Sequence, residues 1–306
     1  MSDFLWVEKY RPQKIDDCIL PSTLKETFQQ IVETGEIPNM LFTGTAGLGK
    51  TTVAKALCNE LDLDWILING SEEGNIDTLR NKIKQFASTV SLQGGYKVVI
   101  LDEADYLNAQ SFQPALRGFI EEFANNCRFI LTCNYPNRII PAIHSRCQGF
   151  EITKQDQVDF TARVAEILIS EGAVFELETI DALVRTYYPD LRKTINTVQM
   201  NTVDGVLQAA EDTGADAAEW RTKMVELFKA GKIKEAREFL IKNAQTNEYE
   251  EIYTWLYRNL DLYTANNDQY DECVLAIRNG LVKHTQVADV EINLSATMIE
   301  VARALG

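Results

Sequence analysis

The chain, 306 residues long, lacks most of the marks by which a sequence declares a compartment or a cofactor. It has no run of 18 or more apolar residues, and its first residues do not follow the basic-then-apolar layout of a signal peptide, so neither a membrane span nor export is expected. It has two histidines, and its six cysteines, at 18, 58, 127, 133, 147 and 273, form no C-x-x-C pair. Ligand spacing therefore excludes a zinc site, and the cysteines read as reduced thiols in a cytoplasm, mostly small core residues. Basic residues are in deficit: 30 Lys and Arg against 45 Asp and Glu leave a net charge of −15. That balance argues at first sight against a nucleic-acid partner, because phosphate binding leaves a basic footprint. Net charge is a global quantity, however, and a narrow groove lined by a few cations holds DNA when the acids lie elsewhere. No internal repeat and no low-complexity segment occurs.

What is present has a clear rhythm. Up to about residue 150, four apolar runs, MLFTG (40–44), WILING (65–70), KVVILDE (97–103) and RFILTCN (128–134), predict strands buried on both faces. Between them, 50–61 and 76–90 carry apolar residues at helical spacing, the second through Ile76, Leu79, Ile83, Phe86 and Val90. Alternation of this kind predicts an α/β domain with a mainly parallel sheet. From about 154 the strand signals fade, and 155–171, 178–187 and 189–200 read as helices. GADAAE (214–219) reads as a seam, followed by an apolar face of Trp220, Met224, Leu227 and Phe228 that Gly231 stops. Further faces at 233–242, 250–263, 270–281 and 287–305 make the tail a bundle of about five helices.

The run from Gly44 through Thr45, Ala46, Gly47, Leu48, Gly49 and Lys50 to Thr51 fits G-x-x-x-x-G-K-S/T. It follows the apolar run MLF and opens the helical pattern at Thr51 and Thr52, the context a phosphate-binding loop requires. Backbone N–H groups and a helix N-terminus then face the phosphates of ATP, Lys50 reaches the β- and γ-phosphates, and Thr51 ligates Mg2+. Position 49 is expected to lack a side chain so that the loop can close. The plain alternative is a glycine-rich strand-to-helix turn. VVILDEAD (98–105) supplies the second half: Asp102 emerges at a strand's C-terminal end to hold Mg2+, and Glu103 polarises an attacking water. An acidic pair capping the next helix is the structural alternative. The letters DEAD also suggest a helicase, but the helical remainder supplies no second RecA-like domain.

With these residues in place the chain resembles an AAA+ sliding-clamp loader subunit, of the kind of replication factor C small subunits and the large subunit of T-even-type bacteriophages. WVEKYRP (6–12) resembles the family's N-terminal signature, which implies that Val7, Glu8, Lys9, Tyr10, Arg11 and Pro12 wrap the adenine; CILP (18–21), with Ile19, and PDLRKTIN (189–196) are especially like the phage subunit. TCN (132–134) matches sensor 1, which implies that Asn134 orients water or γ-phosphate, and Arg192 stands where sensor 2 acts in cis. SRC (145–147) implies that Arg146 is a finger completing the ATP site of a neighbouring subunit, where without these flanking motifs it would read as a solvated charge.

The resemblance implies an α/β P-loop AAA+ domain with a parallel sheet at 1–152, a small helical lid at 153–215 and an all-α oligomerisation collar at 216–306. It also implies DNA contacts. Arg80 and Lys84, four residues apart, share a helix face that tracks the DNA backbone; a solvated face is the alternative for all three cations here, most of all for Lys82, which points off it. Arg117 resembles an arginine that couples DNA to the ATP site, although Gly118 replaces a second basic residue there. Val90 and Leu92, beside a glycine pair, suit insertion into a sliding clamp, with core packing of Val90 as the alternative. The implied activity is ATP hydrolysis with Mg2+: binding favours an open clamp and primer–template DNA, and hydrolysis releases the closed clamp. The partners implied are other clamp-loader subunits in a hetero-pentamer, the clamp and the DNA, in a cytoplasm that is the host's if the chain is phage-encoded. A helicase-loading or remodelling AAA+ ATPase and a non-hydrolysing scaffold subunit are the competing readings.

Overall fold

The computed structural model describes residues 4–305 except 73–75, 92–93, 210–222, 228–229 and 245–248. The expected seam at 214–219, Trp220, Phe228 and Leu92 lie outside the described residues. The chain divides into two compact units, 1–210 and 211–306.

The first unit runs α1 (Trp6–Lys9), α2 (Ser22–Thr34), β1 (Met40–Thr43), α3 (Lys50–Glu60), β2 (Trp65–Asn69), α4 (Ile76–Ala87), β3 (Lys97–Asp102), α5 (Phe112–Glu122), β4 (Cys127–Cys133), α6 (Pro141–His144) and β5 (Gln148–Glu151). It continues with α7 (Gln157–Ser170), α8 (Leu177–Tyr187), α9 (Leu191–Asn201) and a small hairpin of β6 (Thr202–Val203) and β7 (Val206–Leu207). The five long-range strands form one parallel sheet in the order β2-β3-β4-β1-β5. Successive strand residues face opposite layers. Leu41, Val99, Leu101, Phe129 and Leu131 join the core that α4 and α5 close, whereas Met40, Phe42, Val98, Ile100 and Ile130 join the core under α2 and α3. Both faces being covered is why these strands read as unbroken apolar runs.

Three departures from the sequence reading have physical causes. β2 is an edge strand, and of its run only Ile68 is buried, while Leu67 is 40% exposed, so an apolar run here does not mean burial on both faces. β5 carried no apolar signal in QGFE; it is held by its ladder to β1 and by Phe150, which packs on Phe28 and Phe42 with ring centroids 5.0 and 5.8 Å away. α4 ends at Ala87, leaving Val90 outside the helix and 77% exposed, which removes the core-packing alternative for that residue. A third apolar cluster, of Phe160, Val164, Leu168, Ile180, Leu183, Val184 and Val198, binds α7, α8 and α9 together and takes in Trp6 from the N-terminal segment. The Trp6 backbone N–H donates to Gln199 Oε1 at 3.0 Å, so that segment is anchored to α9.

The second unit is helical at 223–227 and contains α10 (Ile233–Asn243), α11 (Tyr249–Arg258), α12 (Asn267–His284) and α13 (Val290–Leu305). Gly231 takes φ 69° and the Lys232 N–H closes on Leu227 O at 2.9 Å, the helix stop its position predicts. The expected helix over 250–263 is interrupted at Asn259 and resumes as a short 3-10 turn at Leu260–Leu262. Gly280 sits at a close approach: a Cβ there would stand 2.1 Å from Thr297 Oγ1. No helix among the described residues is long and apolar enough to cross a membrane.

Candidate active site

Register aligns the strand ends: Thr43 pairs with Cys133 and Asn69 with Asp102, so the residues that follow β1, β3 and β4 gather on one rim of the sheet. The loop after β1 turns through Gly47 at φ 79° and Gly49 at φ 85° into the N-terminus of α3. At Gly49 the backbone conformation itself calls for glycine. A Cβ there would meet no protein atom within 4 Å, and the left-handed backbone is what favours glycine. At Gly47, also left-handed, a Cβ would come within 2.5 Å of the Asp190 carboxyl group, which would have to move.

Lys50, 8% exposed, donates from Nζ to Gly44 O at 2.9 Å, Thr45 O at 2.8 Å and Asn134 Oδ1 at 2.7 Å. Burial is the largest influence on its ammonium and pulls its pKa below the usual lysine value. Asp102 Oδ1 accepts from the Thr51 hydroxyl at 2.6 Å and from the Thr132 hydroxyl at 2.5 Å. Glu103 follows in a left-handed conformation, φ 53°, with its N–H on Thr132 Oγ1 at 3.1 Å. One step on, the buried Asp105 receives the backbone N–H groups of Asn134 at 3.3 Å and Tyr135 at 3.1 Å, which fixes the turn that carries Asn134.

Hard oxygen donors at Thr51 and Asp102 suit Mg2+, which takes one or two protein oxygens and keeps water or substrate oxygens as its other ligands. No cluster of three or more His, Cys, Asp and Glu able to hold a metal occurs among the described residues.

The cavity over this rim is lined by Ala46 to Val53, by Asp102, Glu103 and Asn134, and by Arg192 at the start of α9. Its apolar part takes in Val7, Tyr10, Pro12, Ile19, Leu191 and Ile195, and Arg11 also lines it. Glu8 and Lys9, expected here with their neighbours, do not line it. The Arg11 guanidinium holds Glu8, with Nε on Oε2 at 3.0 Å, and keeps that carboxyl below its ordinary range, while Lys9 turns to Glu171 at 2.7 Å. Gly44 and Thr45 contribute through the carbonyls that receive Lys50.

Several lining residues were not visible in the motifs. Gln155, 6% exposed, has its Oε1 without a partner, and Arg163 ties α7 to the N-terminal segment through Tyr10 O at 2.9 Å. Behind the rim lies Gln113, 1% exposed, whose Nε2 donates to Leu107 O at 2.9 Å and Arg138 O at 3.0 Å and whose Oε1 accepts from Ile140 N at 2.8 Å. One signal was available for it: a glutamine beside Phe112, Leu116 and Ile120, whose helical spacing lies outside the helices predicted above.

The remaining predicted residues lie outside the cavity. Arg146 follows α6 and pairs with Glu121 of α5. On α4, Leu79 and Ile83 are buried as expected, Lys82 and Lys84 are exposed, and Arg80 is half-buried, donating to Ser111 O at 3.3 Å. Arg117 is exposed on α5, and a Cβ at the adjacent Gly118 would meet nothing within 4 Å, so packing does not require that glycine.

Comparison with known proteins bears on this geometry. The family described as ATPase family associated with various cellular activities (AAA) matches residues 40–154. The chain is 41% identical over 201 residues to the replication factor C small subunit of Methanoculleus marisnigri, covering 64% of this chain and 62% of that protein. It is 39% identical over 211 residues to the sliding-clamp-loader large subunit of Enterobacteria phage T4, covering 66% of each. The match therefore spans under two thirds of the length of these two relatives. To the replication factor C small subunit of Methanococcus vannielii it is 35% identical over 250 residues, 78% of each chain. Among solved structures, the RuvB Holliday junction branch migration motor of Thermotoga maritima shares the fold, with a TM-score of 0.55 at 15% identity over 71% of this chain and 78% of that one.

Proposed function

The chain belongs to the family of replication factor C small subunits and phage sliding-clamp-loader large subunits, and from that premise we propose that it is an ATPase subunit of a DNA polymerase sliding-clamp loader. The observation that carries the reading is the convergence of Lys50, Thr51, Asp102 and Asn134 within hydrogen-bond reach on one strand-end rim, with Arg146 kept away from it. Lys50 binds the β- and γ-phosphates, exchanging its loop carbonyls for phosphate oxygens, and Thr51 and Asp102 hold Mg2+. Bound Mg2+ offsets the charge of the phosphates. Glu103 orients and deprotonates the attacking water, Asn134 positions it, and Arg192 in cis and Arg146 in trans offset charge on the transferred group. Val7, Tyr10, Arg11, Pro12 and Ile19 hold the base end.

The same reading assigns 1–152 to the ATPase domain, 153–215 to a lid and 216–306 to an oligomerisation collar, supported by the separate apolar clusters. Arg80, Lys84 and Arg117 meet DNA phosphates, with several copies adding their contacts despite the net charge of −15. Val90, exposed beside the glycine pair, meets the clamp together with Leu92. The companions are other clamp-loader subunits in a hetero-pentamer, in a cytoplasm. The test is the ATPase rate with a sliding clamp and primed DNA together against either alone. Joint stimulation is expected; a rate indifferent to the pair points to a remodelling ATPase and removes the loader assignment.

A further inference from the structure

Arg146 is a half-buried cation already engaged by its own subunit. Its Nε donates to Glu121 Oε1 at 2.9 Å, and Nη2 binds the same carboxylate oxygen. Nη1 donates to Ala142 O at 2.8 Å and to Ser145 Oγ at 3.2 Å. A guanidinium carries five N–H groups, and these contacts engage four of them. The Nε–Nη2 edge faces Glu121 and Nη1 is occupied, so neither edge is open for a two-pronged grip on phosphate. Ala142 and Ser145 flank Arg146 in sequence and travel with it; Glu121, on the last turn of α5, is the contact that ties it down.

We propose that Glu121 is a positioning residue that parks Arg146 on its own subunit until a phosphate group bound in the neighbouring subunit competes for the guanidinium. The proposal rests on the reading of Arg146 as a finger acting in trans. The Arg146 hydrogen bond is the largest influence on Glu121 and holds its carboxyl below the ordinary range, with Arg117, one turn earlier on α5, adding to the effect, so the pair is ionised at neutral pH. An exposed carboxylate pair is weak enough to yield to a bidentate phosphate, which attracts a guanidinium more strongly. Glu121 therefore raises the nucleotide concentration at which the assembly fires without limiting its top rate.

The experiment has two arms. In the isolated chain, phenylglyoxal modification of Arg146, followed by peptide mass spectrometry, should run about 1.5- to 5-fold faster in Glu121→Gln than in wild type, the range an exposed ion pair supports. Glu121→Asp should restore part of the protection, and the difference should shrink at 1 M salt, where screening is strong. In the reconstituted assembly, Glu121→Gln should lower the ATP concentration for half-maximal turnover by a similar factor with kcat unchanged. Equal modification rates in wild type and Glu121→Gln overturn the parking, as does a fall in kcat with no change in half-maximal concentration. Arg146→Ala separates the two readings. Full turnover in that variant sinks the finger and the competition built on it, whereas loss of turnover beside an inert Glu121→Gln sinks only the parking.

Discussion

The two units bury polar side chains for different ends. In the first, Lys50, Asp105, Thr132 and Gln155 are buried at or beside the strand-end rim, and Asp105 Oδ1 and Gln155 Oε1 are left without partners. In the second, Asn293 is buried between helices, its Nδ2 donating to Tyr253 Oη and to Gly280 O, both at 2.8 Å, while the Thr297 hydroxyl donates to Asn293 O at 3.0 Å. The other orphaned atoms among the described residues, Arg80 Nε and Ser111 Oγ in the first unit and Arg237 Nε and His284 Nδ1 in the second, belong to half-buried side chains. A buried polar group left open beside a cavity is capacity for a ligand, whereas a closed network at a helix crossing fixes how helices pair. Substitutions should therefore remove chemistry from one unit and packing from the other.

The largest expected effect breaks chemistry alone. Arg146→Ala should leave ATP binding through Gly44–Thr51 intact yet slow the assembly by roughly 10³–10⁵, the worth of a finger in related phosphoryl transfer. Mixing Arg146→Ala chains with Glu103→Gln chains should restore partial turnover, because one chain supplies an intact site and the other an intact arginine. No recovery in a mixture that assembles normally would end the assignment in trans.

Gln113 sharpens the comparison because it lies in the first unit yet is closed like the network of the second. Gln113→Leu removes the partners of Leu107 O, Arg138 O and Ile140 N at once. Of these bonds only the one to Leu107 O is fully buried, so urea unfolding should show a loss of roughly 1–3 kcal/mol, the cost of one buried group left unpaired. A loss below about 1 kcal/mol would mean that the glutamine does not lock this turn.

Gly280→Val is the counterpart in the second unit. Its Cβ would fall 2.1 Å from Thr297 Oγ1 and 2.8 Å from the Tyr253 ring, so those buried side chains or the spacing of α12 and α13 must shift. Overpacking of this sort costs about 1–3 kcal/mol. Thermal unfolding should report it while ATP affinity stays at the wild-type value; a changed affinity would break the division of labour between the units.

How much of this was legible depends on where the signal sits. The phosphate loop and Asp102 were legible because short runs of adjacent residues carry both the local geometry and the chemistry. β5 and the exposure of β2 were not, since position within the sheet, set by long-range pairing, decides whether QGFE is a strand and whether Leu67 is covered. Gln113 and Glu121 escaped for a related reason: each acts on residues 25 or more positions away, Gln113 on Arg138 and Glu121 on Arg146. The turn of Lys9 toward Glu171 is likewise a contact across 162 positions, beyond any local pattern.

The smallest effect sets two matched caps against each other. Asp190 caps α9 by accepting from Lys193 N at 3.0 Å, and Asn266 caps α12 by accepting from Gln269 N at 2.9 Å. Each replacement by alanine should cost about 1 kcal/mol, since each leaves one helix-terminal N–H without its partner. The consequences should differ, because Asp190 also lies against Gly47 and sits two residues before Arg192, which lines the cavity. Fraying of the first turn of α9 takes Arg192 out of position for part of the time, so turnover in Asp190→Ala should fall by up to about five-fold, the ceiling that the same loss sets. Asn266→Ala should lose the same stability with turnover unchanged at a temperature well below its unfolding. Equal turnover losses in the two variants would mean that Arg192 takes no position from its cap, and that the contrast between the units does not extend to their helix ends.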